Sequence, residues 1–229
     1  MSHYRVAVFA NSPEEFEDLL APYNEQDEMY FEFFPVSSEE VAERYDEYQQ
    51  NSTIFDSFND YLSDYGYTKD PDTGQFGYCY NPNAKWDWYT LDGGEWQFDL
   101  KPGEHYGHNG YAKKNQYNYW EKQYSKQRSI KHWNEQKDLA ESNEDTQEAG
   151  FARWFMKDNP DLNTYLRQCK LNYPYAFITP DGEWHSPGTV GWFGCSDDTP
   201  DTMNAYLDEW ETWINSDQNP YVTFVDCHI

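Results

Sequence analysis

The sequence predicts an α+β domain: an antiparallel or mixed sheet with helices on one face, arranged as a ferredoxin-like core. Three features predict it. The chain opens as strand–helix–strand–helix with a serine cap before each helix. It closes as hairpin–helix–strand. Between them lies a long aromatic and polar stretch of poor periodicity. A length of 229 residues suits one domain over residues 1–229. Residues 49–150 read as a large, aromatic-rich central insertion that contains a β-meander (76–100) and a basic helix (111–137).

Tyr4–Ala10 alternates in the manner of a strand. Ser12-Pro13-Glu14-Glu15 starts a helix, with a serine cap and proline in the first turn. A second strand, Met29–Val36, leads into Ser37-Ser38-Glu39-Glu40, another capping box, with Val36 and Val41 placed as a hydrophobic staple. A short helix is expected around Ile54–Tyr65. Phe76–Tyr80, Trp86–Leu91 and Glu95–Leu100 are the strands of the meander, with Asp92-Gly93-Gly94 as a tight turn. Lys101–Gly110 should be loop, and residues 138–150 a mobile connection.

Phe151–Cys169 reads as helix broken near Asn159-Pro160. Tyr175–Thr179 and Trp184 form a hairpin turned by Pro180-Asp181-Gly182, and Gly188–Gly194 gives another short strand. Thr199-Pro200-Asp201 caps a helix with Met203, Tyr206, Leu207, Trp210, Trp213 and Ile214 on one stripe. Tyr221–Cys227 is a strand whose apolar pattern suits a central position.

Leu, Ile and Val number only 22 and Phe 14, while the net charge is −26; such figures usually mark disorder. Here 21 Tyr and 10 Trp take the place of the missing aliphatics, and each ring can bury roughly 150–250 Å². The chain therefore folds, around a core threaded with hydroxyl and indole groups that need partners. No segment reaches the roughly 18 apolar residues of a membrane span, and Met1–Arg5 does not lead into the apolar stretch of a signal peptide. Cys79, Cys169, Cys195 and Cys227 show no framework spacing. A cytoplasmic protein with free thiols and no membrane partner is expected.

Charge is unevenly placed. Residues 1–68 carry 16 acids against Arg5 and Arg44, and residues 171–229 carry 10 acids and no Lys or Arg. Residues 101–137 reverse the sign, with eight bases against three acids. The basic stretch either folds back on the acidic faces or meets an external anion.

Asn81-Pro82-Asn83-Ala84-Lys85-Trp86-Asp87-Trp88-Tyr89, followed by Gly93-Gly94-Glu95-Trp96, resembles a family of small proteins encoded by phages and prophages. Tyr175–Trp184, Gly191-Trp192-Phe193-Gly194 and the closing Val225-Asp226-Cys227-His228-Ile229 are similar to it too, so that about a third of the chain is covered. That family commonly has arginine between the glycines and the tryptophan, where this chain has Glu95. The resemblance implies a mobile-element setting, in which small acidic counter-defence proteins are frequent, and no particular chemistry.

Four functional readings follow. In the first, surplus carboxylates imitate nucleic acid and occupy the basic groove of a host protein, in the anti-CRISPR or anti-restriction manner; solubility is the alternative use of such charge. Glu39, Glu40, Glu43, Asp46 and Glu47, with Asp197, Asp198, Asp201, Asp208 and Glu209, are the candidate partner surface. In the second, Trp86, Trp88, Tyr89 and Trp96 stack a nucleotide ligand, such as a defence signal, whose phosphate meets Lys85; core packing is the alternative use of these rings. In the third, His105 and His108 supply two ligands of a metal site in a nucleotide hydrolase, with Asp226-x-His228 as further histidine chemistry. In the fourth, Lys113, Lys114, Lys122, Lys126, Arg128 and Lys131 touch nucleic acid directly, which the surrounding charge opposes. The sequence has no phosphate loop, Rossmann glycine pattern or G-x-S-x-G element. A binding protein without cofactor, directed at a host protein and not at nucleic acid itself, is the reading carried forward.

Overall fold

The computed structural model describes residues 3–51, 54–91, 98–101, 104–106, 110–122, 126–168, 173–191 and 195–229. The chain is α+β and divides into two compact units: a discontinuous larger one, residues 1–20 with 88–229, and a contiguous smaller one, residues 21–87.

The larger unit is organised by its first and last strands. β1 (His3–Ala10) and β11 (Tyr221–His228) pair antiparallel over their full length, from His3 opposite His228 to Ala10 opposite Tyr221. β9 (Ala176–Ile178) lies parallel to β1 on its other side, and β10 (Trp184–His185) returns along β9 through a turn in which Gly182 takes φ +87°. β5 (Trp88–Thr90) and β8 (Tyr111–Lys113) share the outer edge of β11. The sheet order is thus β10-β9-β1-β11-β5, with β8 also on β11. Seven of the eight β11 residues are buried, as the apolar run of a central strand demands.

One face of this sheet carries the main core. Ala7, Phe9, Phe177, Val222 and Phe224 meet Tyr206, Leu207, Trp210 and Ile214 of α8 (Pro200–Ile214), together with Tyr117 of α4 (Lys114–Trp120). Thr199 caps α8 by accepting the Thr202 amide at 3.2 Å. At its other end Lys114, 1 % exposed, donates to the carbonyls of Trp213 and Ser216 and to the Ser216 hydroxyl at 2.7–3.0 Å. Asn118 donates to the Ile214 carbonyl and Lys122 to the Asn215 side chain. Part of the basic stretch therefore does fold back on the protein, and it meets the carbonyl end of α8, where the helix dipole is negative, with Asp217 close enough to act on Lys114. The opposite sheet face is equally dry, with Val6, Val8, Ala176, Ile178 and Val225 fully buried. α1 (Phe16–Leu20), which follows β1, buries Phe16 and Leu20.

Three helices stand within this unit: α5 (Lys126–Glu141), α6 (Gln147–Asp158) and α7 (Leu162–Gln168). Trp133 and Tyr165 centre a cluster with Phe155, Met156, Leu162 and Leu166. The Trp133 indole donates to the Asn159 carbonyl at 3.0 Å, where the chain breaks between α6 and α7. A separate hairpin joins β6 (Phe98–Lys101) to β7 (Glu104–Tyr106).

The smaller unit has a three-stranded sheet, β2 (Glu32–Pro35), β4 (Phe76–Tyr80) and β3 (Thr68–Lys69), in the order β2-β4-β3. With it go α2 (Ser38–Asn51) and α3 (Phe58–Asp64). Gly77 of β4 is obligatory, since a Cβ there would collide with the Phe34 carbonyl oxygen and the Phe33 ring. The core is almost wholly aromatic: Tyr61, Leu62 and Tyr67, packed by Tyr48, Phe55, Phe58, Phe76 and Tyr78 among others.

Several expectations are corrected. A ferredoxin-like path would bring the second strand into the sheet of β1; β2 pairs with β4 instead, and the long crossover from β1 enters on β9, beside it. The meander over 76–100 is not formed, because β4, β5 and β6 join three different sheets. The basic helix over 111–137 is a strand followed by two helices, the loop expected over 101–110 contains β7, and the connection expected over 138–150 narrows to residues 142–146. The insertion is residues 21–87, not 49–150, because β5 and β8 return to β11. The expected turn at 92–94 and part of the 188–194 strand lie outside the described residues; Val190 makes an isolated bridge to Ser196.

Candidate functional site

In the smaller unit, α2 separates its acids by face. Ser37 accepts the Glu40 amide at 3.1 Å and starts the helix. Positions 40, 44 and 47 then meet the unit's tyrosine hydroxyls, Glu40 and Arg44 half-buried and Glu47 exposed. Glu40 accepts from the Tyr67 hydroxyl at 2.7 Å, Glu47 accepts from the Tyr61 hydroxyl at 3.1 Å, and Arg44 bridges Glu47 (2.7 Å) and the Tyr67 hydroxyl (3.2 Å). Arg44 and the Tyr61 hydroxyl hold the Glu47 carboxyl below its ordinary value. Burial first, then Glu47, pushes the Tyr61 phenol up to about 12. Glu39, Glu43 and Asp46, spaced as one helical stripe, are exposed. Among the described residues Glu43 and Asp46 have no partner and Glu39 only the Ser38 hydroxyl.

The second predicted set lies in the larger unit and is mostly committed to it. Asp197 accepts the Thr189 amide at 2.6 Å, Asp208 pairs with Arg167, and Glu209 faces His185 at 3.3 Å. Asp198 is half-buried in a cavity wall; the other four are exposed, and of them Asp201 alone has no partner among the described residues.

The predicted aromatic cluster is divided by the unit boundary. Trp86 is 1 % exposed and lies in the smaller unit, tilted against Tyr23 at 5.9 Å. It precedes β5 instead of lying in it, and its carbonyl accepts the Glu25 amide. Lys85 is half-buried in the same unit, its amide donating to the Tyr23 carbonyl. Trp88 stands at the sheet edge of the larger unit, stacked on His228 at 4.9 Å and 17°. Tyr89, on the reverse face and opposite Cys227, has its phenol raised by burial and by Glu17. Trp96 and His108 lie outside the described residues, and of His105, which pairs with Asp99 in the β6–β7 hairpin, only the backbone is described. Among the described residues no three His, Cys, Asp or Glu side chains are grouped to hold a metal.

Sequence reasoning missed what β1 brings to this edge. The strand register sets His3, His228 and Trp88 in one row, and Arg5, Asp226 and Thr90 in the next row on that face. His3 Nδ1 lies 3.0 Å from Asp226 Oδ1 and meets the rings of Trp88 and His228 edge-on. Arg5 lies over the Phe224 ring, 3.5 Å from its centre. Asp226-x-His228 was visible in the sequence; its partner at position 3 was not, since nothing local shows that the first and last strands pair.

Two cavities share α8 as a wall. One, about 710 Å³, gathers Asp181, Glu183, Asp208 and Glu209 around His185, which stacks on Phe177 at 4.4 Å. The other, about 640 Å³, opens at the start of β1 and α8 and takes in His3, Arg5, Arg167 and four tyrosines. Comparison with known protein families, with curated proteins and with solved structures gives no match. No described helix is long and apolar enough to cross a membrane.

Proposed function

We propose that this chain is a phage-type accessory protein that binds and inhibits a host factor through the acidic face of its smaller unit. The partner is a protein with a basic, nucleic-acid-handling groove, a counter-defence target being the class that fits best. One observation carries the reading. Residues 21–87 hold fifteen carboxylates against Arg44, Lys69 and Lys85, and α2 turns a stripe of them, Glu39, Glu43 and Asp46, to the outside.

The magnitude refines the idea. α2 carries five acids and one arginine over 14 residues, about one net charge per 5 Å at a helical rise of about 1.5 Å per residue. Duplex DNA has one per roughly 1.7 Å. The stripe therefore offers an electrostatic handhold for a basic groove and not a full replica of the duplex. The resemblance of residues 81–96 and 175–228 to phage and prophage proteins supports action in the host cytoplasm, with neither membrane nor nucleic acid as direct partner.

Immobilised protein is expected to retain a host protein that duplex DNA and rising salt both elute, and the E39Q/E43Q/D46Q triple variant is expected to lose it. Retention by the triple variant, or elution indifferent to DNA and salt, overturns the reading.

A further inference from the structure

A second site is independent of that acidic face. We propose that the cavity at the start of β1 and α8 binds a phosphorylated small molecule bearing a planar ring, of the nucleotide class.

Its size, about 640 Å³, lies within the roughly 300–1,000 Å³ of small-molecule sites. Its charge runs against the rest of the molecule. Residues 171–229 contain no Lys or Arg and the whole chain only five arginines; two of those five, Arg5 from β1 and Arg167 from α7, line this one cavity with His3. Guanidinium groups bind phosphate oxygens through paired, planar N–H donors, a geometry that lysine does not offer. Asp198 is the one carboxylate in the lining. The start of α8, at Thr199 and Pro200, adds the positive end of a 15-residue helix.

The walls supply the second half of the recognition. Four tyrosines are in the lining, Tyr4, Tyr173, Tyr175 and Tyr206; Tyr173 and Tyr175 are only half-buried and keep ring surface for a base or another conjugated ring. They are held in place: the Tyr206 hydroxyl donates to the Pro174 carbonyl at 2.6 Å, and Tyr175 meets Tyr4 edge-on at 5.6 Å. A cation-lined, ring-walled hollow in an acidic protein suits neither a basic peptide nor a plain hydrocarbon.

Arg167 is paired with Asp208, whose side chain is 70 % exposed. Exposed pairs of this kind are weak, so a phosphate entering the cavity can take the guanidinium from Asp208. The ion pair then acts as a holder that keeps Arg167 at the cavity until ligand arrives. This gives the test an unusual sign: removing the Asp208 charge should help the ligand, while removing the Arg167 charge should harm it.

The experiment is isothermal titration of the full chain with AMP, GMP, CMP, UMP and cyclic di-AMP, with adenosine and inorganic phosphate as part-ligands. At least one nucleotide is expected to bind about tenfold or more tighter than either part-ligand. R167Q should weaken it about tenfold or more and D208N should tighten it, both variants keeping the wild-type circular dichroism. Absence of heat from every nucleotide at millimolar concentration overturns the proposal. So does phosphate binding as well as the nucleotides, R167Q binding as wild type does, or D208N weakening in step with R167Q. The acidic-face variant E39Q/E43Q/D46Q should bind nucleotide unchanged, so failure here leaves the partner reading to its own test.

Discussion

The two units solve the same problem, a sequence poor in aliphatics, in different ways. The larger unit concentrates what it has on adjacent strands: Val6, Val8, Ile178 and Val225 are fully buried on one sheet face, and on the other the rings of α8 close over Val222, Phe9 and Phe224. The smaller unit has Val36, Val41, Ile54 and Leu62 as its whole stock of branched aliphatics. It builds instead from tyrosine and phenylalanine, and the tyrosine hydroxyls must be satisfied. Glu40 and Glu47 of α2 accept from two of them, Tyr67 and Tyr61. Carboxylates in this unit are thus of two kinds, one structural and one outward. Net charge alone cannot separate them, and only the outward kind can serve a partner.

The largest effect that would sharpen this contrast is at Trp86. W86A empties a fully buried ring position and should cost about 3–5 kcal/mol, whereas W88A, at 44 % exposure, should cost about 1 kcal/mol. Hydrogen exchange on W86A should show residues 21–87 losing protection while β1 and β11 keep theirs. Equal loss in both units would mean that they unfold as one.

Next in size is Lys114 of the larger unit. K114M leaves two carbonyls and the Ser216 hydroxyl without their donor and should cost about 2 kcal/mol by chemical denaturation. An unchanged midpoint would show that the end of α8 does not depend on this ammonium.

The smallest effect is a difference in alkaline response. Tyr61 and Tyr78 in the smaller unit are pushed up to about 12, mainly by burial. Between pH 10 and 12 the unfolded chain gives up these protons and the folded unit keeps them, so stability falls as pH rises through that window. Tyr117 and Tyr206 act likewise in the larger unit. There, however, burial lowers Lys114, so the unfolded chain holds that proton more tightly and stability gains as pH approaches 10.5. Burial also raises the Cys227 thiol of β11 well above its ordinary value, and Tyr89 and Tyr175 with it, so above pH 10.5, where the Lys114 gain ends, protection in β1 and β11 should fall more steeply than protection in residues 21–87. A steeper fall in residues 21–87 would break the comparison.

Much of the local structure was legible. The Thr199 cap, the stripe of α8, the turn at Gly182 and the break at Asn159-Pro160 are all set by residues next to one another, where propensity and capping decide. Partnership between strands was not legible. β2 reads as well for one sheet as for another, since alternation fixes which side chains share a face and not which strand lies alongside. The boundary between the units falls inside Trp86-Asp87-Trp88, where neither composition nor turn residues change. For the same reason two tryptophans two residues apart, expected to act together, belong to different units, Trp86 buried in one and Trp88 exposed at a sheet edge of the other. The cavity was invisible because Arg5, Arg167 and Tyr206 are far apart in sequence and meet only after the sheet forms.

The position of β11 sets an order of events during biosynthesis. Once residues 21–87 have cleared the exit tunnel, the partners of every strand pair in the smaller unit are available. The larger unit must wait, because the strand that joins β1 to β5 and β8 is the last of its sheet to be made. Until residue 228 is free of the exit tunnel, β1 has an open flank, and the nascent chain depends on its high negative charge to stay clear of its neighbours.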